Sequence, residues 1–547
     1  MKADGIANFI GLDISTQSVT ALLIGVNTSG GTPREIVLHE DWRCSRPWAS
    51  EADRKRPEVW VQLTRDLIYE LIGKCPDARR ARGIGVSTAF PGVFAVLPGG
   101  RIDPRWVSLY DNLEDAGVCS GALEELLAQA EDETLNRMWP GNMAIGLVSL
   151  VKCAELRLEQ VAALMPPNTA FSHALLACAG VDFDLRELRT DFTQAVISGL
   201  YDAMTASPVP EKVAGLLRHC LPGLDVVRLR EMLPKAAPSW QNSVPAARVA
   251  RVADLLSLPD LTAVSVGAGD SPLGALALGA SEETILNVRG SSDSPVLAVR
   301  MPRPRHTRRE TVLHYPLPTA ASLTDSAWCV VAPMLRSGRV WDWVKRLRFP
   351  DASSEHDLEL ERLAVNALKR RLRCDVPLLS FDTALGGERA PDWDADSTGR
   401  IQGLVEDHGI GDIALAALEG VSLRLRACVS QMESRYELRV PRMVLAGGPT
   451  KNNLWSWMTG LFLGKDTYRT EFVDASALGA AMLGYGAWVC ATIPDGDAKA
   501  SRCMYALAEL AQQHPAVRSV PVAAPDSELA GLEPMYRRQI AALCGEV

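Results

Sequence analysis

The chain has 547 residues, of which 47% are hydrophobic and 22% charged, the balance of an ordinary globular protein with room for two or more domains. A formal net charge of -9 speaks against a nucleic-acid binder, whose footprint is basic. The 12 cysteines are scattered without a CxxC pair, so neither a zinc site nor a disulfide framework is expected, and thiols in a reducing cytoplasm are the simplest reading.

The chain enters its first predicted strand almost at once. No basic n-region and apolar stretch precede it, and no apolar run is read as approaching a membrane span, so no leader and no membrane association are expected. Phe9–Leu12 and Val19–Ile24 flank the polar turn Asp13-Ile14-Ser15-Thr16-Gln17-Ser18 and read as a hairpin. Glu35–Trp42 is predicted to add a third strand, Pro57–Lys74 a helix with Pro57 in its first turn, and Gly83–Thr88 and Val93–Leu97 two short strands. Leu123–Leu217 reads as mostly helical. Leu261–Gly267 is a predicted strand, followed by a helix from Ser271.

Thr284–Arg300 repeats the shape of the opening hairpin, with Gly290-Ser291-Ser292-Asp293 at its turn. Met443–Ala446 runs into Gly447-Gly448-Pro449-Thr450 and then a helix to about Phe462. Asp474–Trp488 is a predicted helix crowded with Ala and Gly, which admits a close approach of backbone or ligand. Ala498–Leu543 is predicted helical and peripheral. Two halves that each open with a polar-turned hairpin predict a bilobal α/β protein, residues 1–280 and 281–547, with its ligand in the cleft between lobes.

Four loops carry the chemistry. Successive N–H groups and hydroxyls in Ser15–Ser18 and in Gly290–Ser292 suit phosphate, and Asp13 suits Mg²⁺ bridging to phosphate oxygens. The plain alternative is two polar hairpin turns, with Asp13 bonding its own backbone. In Gly267-Ala268-Gly269-Asp270-Ser271-Pro272, Pro272 at the first helical position would make Ser271 the cap and leave Asp270 outside the helix, free to take a proton from a substrate hydroxyl. The alternative is Asp270 as N-cap. Gly447 and Gly448 form a flat shelf suited to adenine or ribose, with Thr450 or Asn452 near the helix cap; a sharp strand-to-helix turn would use the same glycines.

In this order the loops resemble the FGGY carbohydrate kinases of the sugar kinase, actin and heat-shock chaperone superfamily. Asp13–Ser18 matches the family's D-x-G-T/S-x-S, Gly267–Asp270 its G-G-G-D, and Gly290–Ser292 its G-T-S. "GGERAPDWD" at 386–394, "LEGVSLRLR" at 418–426, "AGGPTKNNLW" and "DASALGAAMLG" match further segments, so the likeness runs from about Ile10 to Trp488. The resemblance implies two ribonuclease-H-like (actin-like ATPase) lobes with an inter-lobe active-site cleft. It implies ATP and Mg²⁺, Asp270 as catalytic base and also as a substrate contact, and Asp13 at the metal. Ser15, Thr16, Gln17, Ser18, Gly290, Ser291, Ser292, Gly447, Gly448, Lys451 and Asn452 would lie around the nucleotide and its phosphates. Phe90, Pro91, Gly92 and Asp111 would meet the sugar, but Phe90 and Pro91 replace the Met and His of the family's Q-M-H-G, and Leu113 stands where Arg is common. Ser15 also stands where Gly is commoner. The implied activity is phosphorylation of a ketopentose such as xylulose; a polyol kinase for glycerol or erythritol, or a silent sugar or nucleotide sensor, are the alternatives. The expected partner is a small sugar or polyol, not nucleic acid or membrane, and a homodimer remains open.

Overall fold

Ile6–Ile14 forms strand β1 and Ser18–Asn27 strand β2, an antiparallel pair that sets Phe9 opposite Ile24 and Asp13 opposite Thr20. Their cores are buried on consecutive residues, as in strands covered on both faces. The computed structural model describes residues 5–28, 36–38, 42–112, 116–119, 121–290, 292–306, 311–324, 326–351, 353–374, 376–470, 474–494, 496, 498–512 and 519–545. Two compact units emerge: Met1–Gly279 with Val299–Cys329 and Asp474–Ala516, and Ala280–Ala298 with Val330–Val473 and Val517–Val547.

In the first unit β3 is only Ile36–Val37, where the sequence predicts a strand over Glu35–Trp42; residues 39–41 lie outside the described ones. β4, Arg43–Pro47, supplies the missing cover of β2, pairing from Ser18 with Pro47 to Leu22 with Arg43. The helix α1, Pro57–Lys74, has the predicted bounds and buries Trp60, Leu67, Ile68 and Leu71 in the core that Ile10 and Leu12 of β1 also enter. β5, Ala81–Thr88, runs parallel to β1. The predicted strand Leu261–Gly267 is broken into Ala263–Val264 and Ala268–Gly269, both parallel to β5. Gly267 lies between them at φ +89°, a backbone turn that interrupts the ladder. The carboxyl ends of β1, β5 and Ala268–Gly269 therefore meet at one edge, the place where open α/β sheets bind ligands.

The small-residue helix is Ala475–Thr492 and packs on β1, β5 and the helix Asp270–Ala277. A Cβ on Gly85 would stand 1.6 Å from the carbonyl oxygen of Ala480, and one on Gly11 1.9 Å from that of Ala477. The small residues thus serve backbone-to-backbone approach. This helix is long and apolar enough to cross a membrane, contrary to the sequence reading, but most of it is buried inside the first unit. Its docking there interrupts the continuous second domain expected over 281–547. So does the segment around His314, whose N–H donates to the Asn136 side chain at 2.7 Å.

The second unit repeats the arrangement. Thr284–Arg289 and Asp293–Met301 form an antiparallel hairpin, Arg442–Ala446 runs parallel to the first of these strands, and Asp466–Thr470 runs parallel beyond it. The chain's end is more than a peripheral helical tail: Ser519–Pro521 adds a strand to Asp466–Thr470. In the helix Ser527–Leu543, Tyr536 is fully buried and donates to Glu419 at 2.8 Å, while Arg371 grips the same carboxylate from the other side.

Candidate active site

Asp13 is the next-to-last residue of β1 and lies beside Ser87 in the parallel register with β5. Its carboxylate accepts the Ser87 hydroxyl at 2.6 Å, not its own turn as the plain hairpin reading had it. Burial, then the nearby Asp270 carboxylate, and to a smaller degree Asp474 push its pKa up to about 7, against the pull of the Ser87 hydrogen bond. Asp474 is held by Arg43, with Nη2 to Oδ1 at 2.9 Å and a second contact through Nε.

The following turn is closed by Ser15. Its N–H donates to the Ser18 carbonyl at 2.9 Å, its hydroxyl donates to the same oxygen at 2.9 Å, and the Ser18 N–H returns to the hydroxyl at 3.2 Å. The Ser15 side chain is thus used in shaping the turn. Gln17 is exposed, and Thr16 and Ser18 are half-buried. Trp48 ties the turn to β4 by donating to the Ser15 carbonyl at 3.1 Å.

Asp270 is placed differently from the sequence expectation. Gly269 is the N-cap and Asp270 the first residue of the helix Asp270–Ala277, so Ser271 does not cap it. Pro272 sits at the third helical position, which also lacks an intrahelical partner for its N–H and so tolerates proline. The Asp270 carboxylate accepts the Ser271 N–H at 2.7 Å, and burial raises its pKa to about 6. Ser271 is occupied elsewhere, its oxygen accepting the Tyr315 hydroxyl at 2.9 Å.

The support of this loop was missed in the sequence. Asp191 caps the short helix Phe192–Ile197 through the N–H groups of Thr193 and Gln194 and accepts the Ser239 hydroxyl at 2.8 Å. Thr193 then accepts the Gly269 N–H at 3.0 Å, and Gln194 donates to Thr88 at 2.6 Å. One capped helix thus fixes both the residue before Asp270 and the residue after Ser87. The segment "RTDFTQAVISGLYD" carries the signal as an Asp with Thr and Gln two and three residues after it at a helix start.

Among the residues matched to the sugar, Phe90 is half-buried beside Gly269, and Pro91 follows it through a cis peptide. Gly92 begins the strand Gly92–Val96 and is buried. Asp111 accepts from Arg54 at 3.0 Å, and Arg54 also grips Glu51. A small cavity of about 20 Å³, room for an ordered water, is lined by Ser15, Thr16, Trp48, Arg54, Thr88 and Tyr110, among others. Leu113 lies outside the described residues.

The second unit holds the other loops. The Gly290 N–H closes its turn on the Ser292 carbonyl at 2.8 Å; Ser291 lies outside the described residues. Arg289 and Asp293 brace the hairpin's base, paired at 3.2 Å with no exposure of either side chain. Ser337 donates to the same Asp293 at 2.6 Å, and the Arg289 guanidinium lies 4.2 Å over the Trp455 ring. Gly447 is packed, not an open shelf: at φ +99° its Cβ would stand 2.0 Å from the Arg289 carbonyl oxygen. Gly448 has open space above it, with nothing within 4 Å of a Cβ, and Lys451 is exposed. Asn452 is the N-cap of the helix Asn453–Leu463, accepting the Trp455 N–H at 2.8 Å, and Thr450 donates to the Gly447 carbonyl at 2.6 Å.

The donors around Asp13 fit a hard divalent cation. They are oxygens, and two neighbouring carboxylates with raised pKa values gain from a positive charge. Among the described residues no group of three or more His, Cys, Asp or Glu gathers as a protein-only metal cage.

Residues 298–488 match the family model described as the FGGY family of carbohydrate kinases, C-terminal domain. A gluconokinase of Bacillus licheniformis is 26% identical over 43% of this chain and 44% of its own length, so that match spans under half of the relative. A xylulose kinase of Klebsiella pneumoniae is 25% identical over 87% of this chain and 89% of its own. The solved structure of a ligand-bound xylulose kinase from Lactobacillus acidophilus covers 98% of both chains with a TM-score of 0.72 at 18% identity, a likeness of fold.

Proposed function

We propose that this chain, similar to the FGGY carbohydrate kinases and sharing their α/β fold of two actin-like ATPase lobes, transfers the γ-phosphoryl group of ATP to a hydroxyl of a small sugar or polyol, a ketopentose such as xylulose first among them. The observation that carries the reading is the placing of Asp13 and Asp270 at the ends of two strands that flank β5, near enough for the Asp270 charge to act on Asp13, both with raised pKa values.

Phosphoryl transfer asks a protein mainly for positioning and charge stabilisation, plus one acceptor for the nucleophile's proton. Asp270 is that acceptor. Its pKa of about 6 leaves it ionised at neutral pH yet more basic than an ordinary aspartate. As the substrate oxygen bonds to the γ-phosphorus, its proton passes to the Asp270 carboxylate, the bond to the β–γ bridging oxygen breaks, and ADP leaves. Thr193 holds Gly269, and the Ser271 N–H steadies the carboxylate at one oxygen. Asp13, oriented by Ser87, would hold Mg²⁺, which when bound neutralises phosphate charge. Gly448, where an added Cβ would meet nothing within 4 Å, would leave room for the nucleotide.

The test is a coupled ADP-release screen with Mg-ATP over ketopentoses, tetritols, glycerol, hexuloses and gluconate. ADP formed with a ketopentose or polyol supports the reading. ATP binding seen by calorimetry, with no ADP from any member, replaces it with a nucleotide-binding sensor.

A further inference from the structure

The side chains bracketing a proton acceptor decide what the carbons beside the reacting hydroxyl can carry. Phe90 packs against the residue before Asp270: a Cβ on Gly269 would stand 2.3 to 2.5 Å from three atoms of its ring. Tyr315 meets Phe90 edge-on, with ring centroids 5.4 Å apart at 70°. Tyr315 is 2% exposed, and its hydroxyl is bonded to Ser271, the residue after Asp270. The two rings therefore flank Asp270 on both sides along the chain. The one polar atom of the pair is already bonded to Ser271. The Phe90 ring is half-buried and keeps part of its surface open. A substrate hydroxyl pressed against that ring would lose water and gain no partner, whereas a C–H or methyl group would gain contact.

Resting on the kinase reading above, we propose that Phe90, backed by Tyr315, makes this site select a deoxygenated substrate: a ketose or polyol bearing hydrogen or methyl, not hydroxyl, on the carbon that faces Phe90 beside the hydroxyl activated by Asp270. Gly269 is part of the device, since any side chain there would evict the ring. The chemistry of transfer is unchanged; the preference lies in which neighbouring carbon the ring accepts.

The experiment measures kcat/KM with Mg-ATP for ketopentoses and tetritols, each paired with analogues in which a single hydroxyl is replaced by hydrogen. One deoxy analogue is expected to exceed its parent by about 10- to 100-fold, the cost of one unpaired buried hydroxyl. Phe90→His, which offers a hydrogen bond, should collapse or invert that ratio, and Phe90→Leu, which stays apolar, should keep its direction. The ratio in the unaltered protein stands by itself if a variant fails to fold. A fully hydroxylated substrate preferred over every deoxy analogue overturns this proposal while leaving a kinase. No ADP from any member, with ATP bound, overturns the kinase reading and this proposal with it.

Discussion

Asp270→Asn separates chemistry from architecture. The substitution keeps the side chain's shape and an oxygen that can still accept the Ser271 N–H, but removes the proton acceptor. Loss of a general base costs on the order of 10²–10⁴ in rate. The pH profile carries a second signature. With a pKa of about 6 the acceptor must be deprotonated, so at saturating Mg²⁺, which would keep Asp13 ionised, kcat/KM should rise through pH 6 and level above it, falling about tenfold per pH unit below. In Asp270→Asn that limb should vanish from the residual activity. Stability should move the opposite way. A carboxylate whose pKa rises from the ordinary 3.8 to about 6 on folding binds protons more tightly in the folded state. The native state therefore loses stability as pH climbs from about 4 to about 6, by at most about 3 kcal/mol. The Asn variant, free of that cost, should melt no lower than the parent at pH 8. Stopped-flow or coupled assays at saturating ATP, with urea denaturation at pH 5 and pH 8, read both quantities. A variant that turned over normally per folded molecule but unfolded more easily would make Asp270 a structural residue and refute the reasoning.

The same logic applies to Asp13. Asp13→Asn should abolish most of the Mg²⁺ dependence of turnover and stabilise the metal-free protein above pH 7, where the parent carboxylate is ionised beside Asp270; thermal melts with EDTA and with Mg²⁺ check it, and an unchanged Mg²⁺ response counts against a metal role. Gly448→Val should leave the melting temperature in place, because its Cβ meets nothing within 4 Å, while raising the KM for ATP more than tenfold over any change in the KM for sugar. Gly85→Ala should behave in the reverse manner: with the Ala480 oxygen 1.6 Å from the new Cβ, it should destabilise by at least about 1–3 kcal/mol or prevent folding, read by urea titration of soluble protein.

What the sequence made legible follows from what local chemistry can encode. The two polar-turned hairpins, the helix α1 and the strand before Gly447 are set by hydrophobic runs and by Pro or Gly at their ends, and each stands where those signals put it. Asp13 and Asp270 were singled out because each ends or follows a strand. What stayed hidden was contact between distant segments. Thr193 reaches Gly269 across 76 residues, Ser87 reaches Asp13 across 74, and Arg43 reaches Asp474 across 431, and no periodicity announces any of these. The misplaced cap at Asp270 has a subtler cause. Proline favours the first helical turn, but three positions in that turn tolerate it, and the choice is made from outside by Thr193 holding the Gly269 N–H. With Gly269 so fixed as the cap, Asp270 becomes the first helical residue, and its carboxylate sits at the positive end of the helix as well as beside Asp13. Two opposed influences thus act on one group: burial disfavours the charge, and the backbone N–H groups at the helix start favour it. Burial dominates, which is why the acceptor is pushed toward neutrality and not below the ordinary carboxylate range.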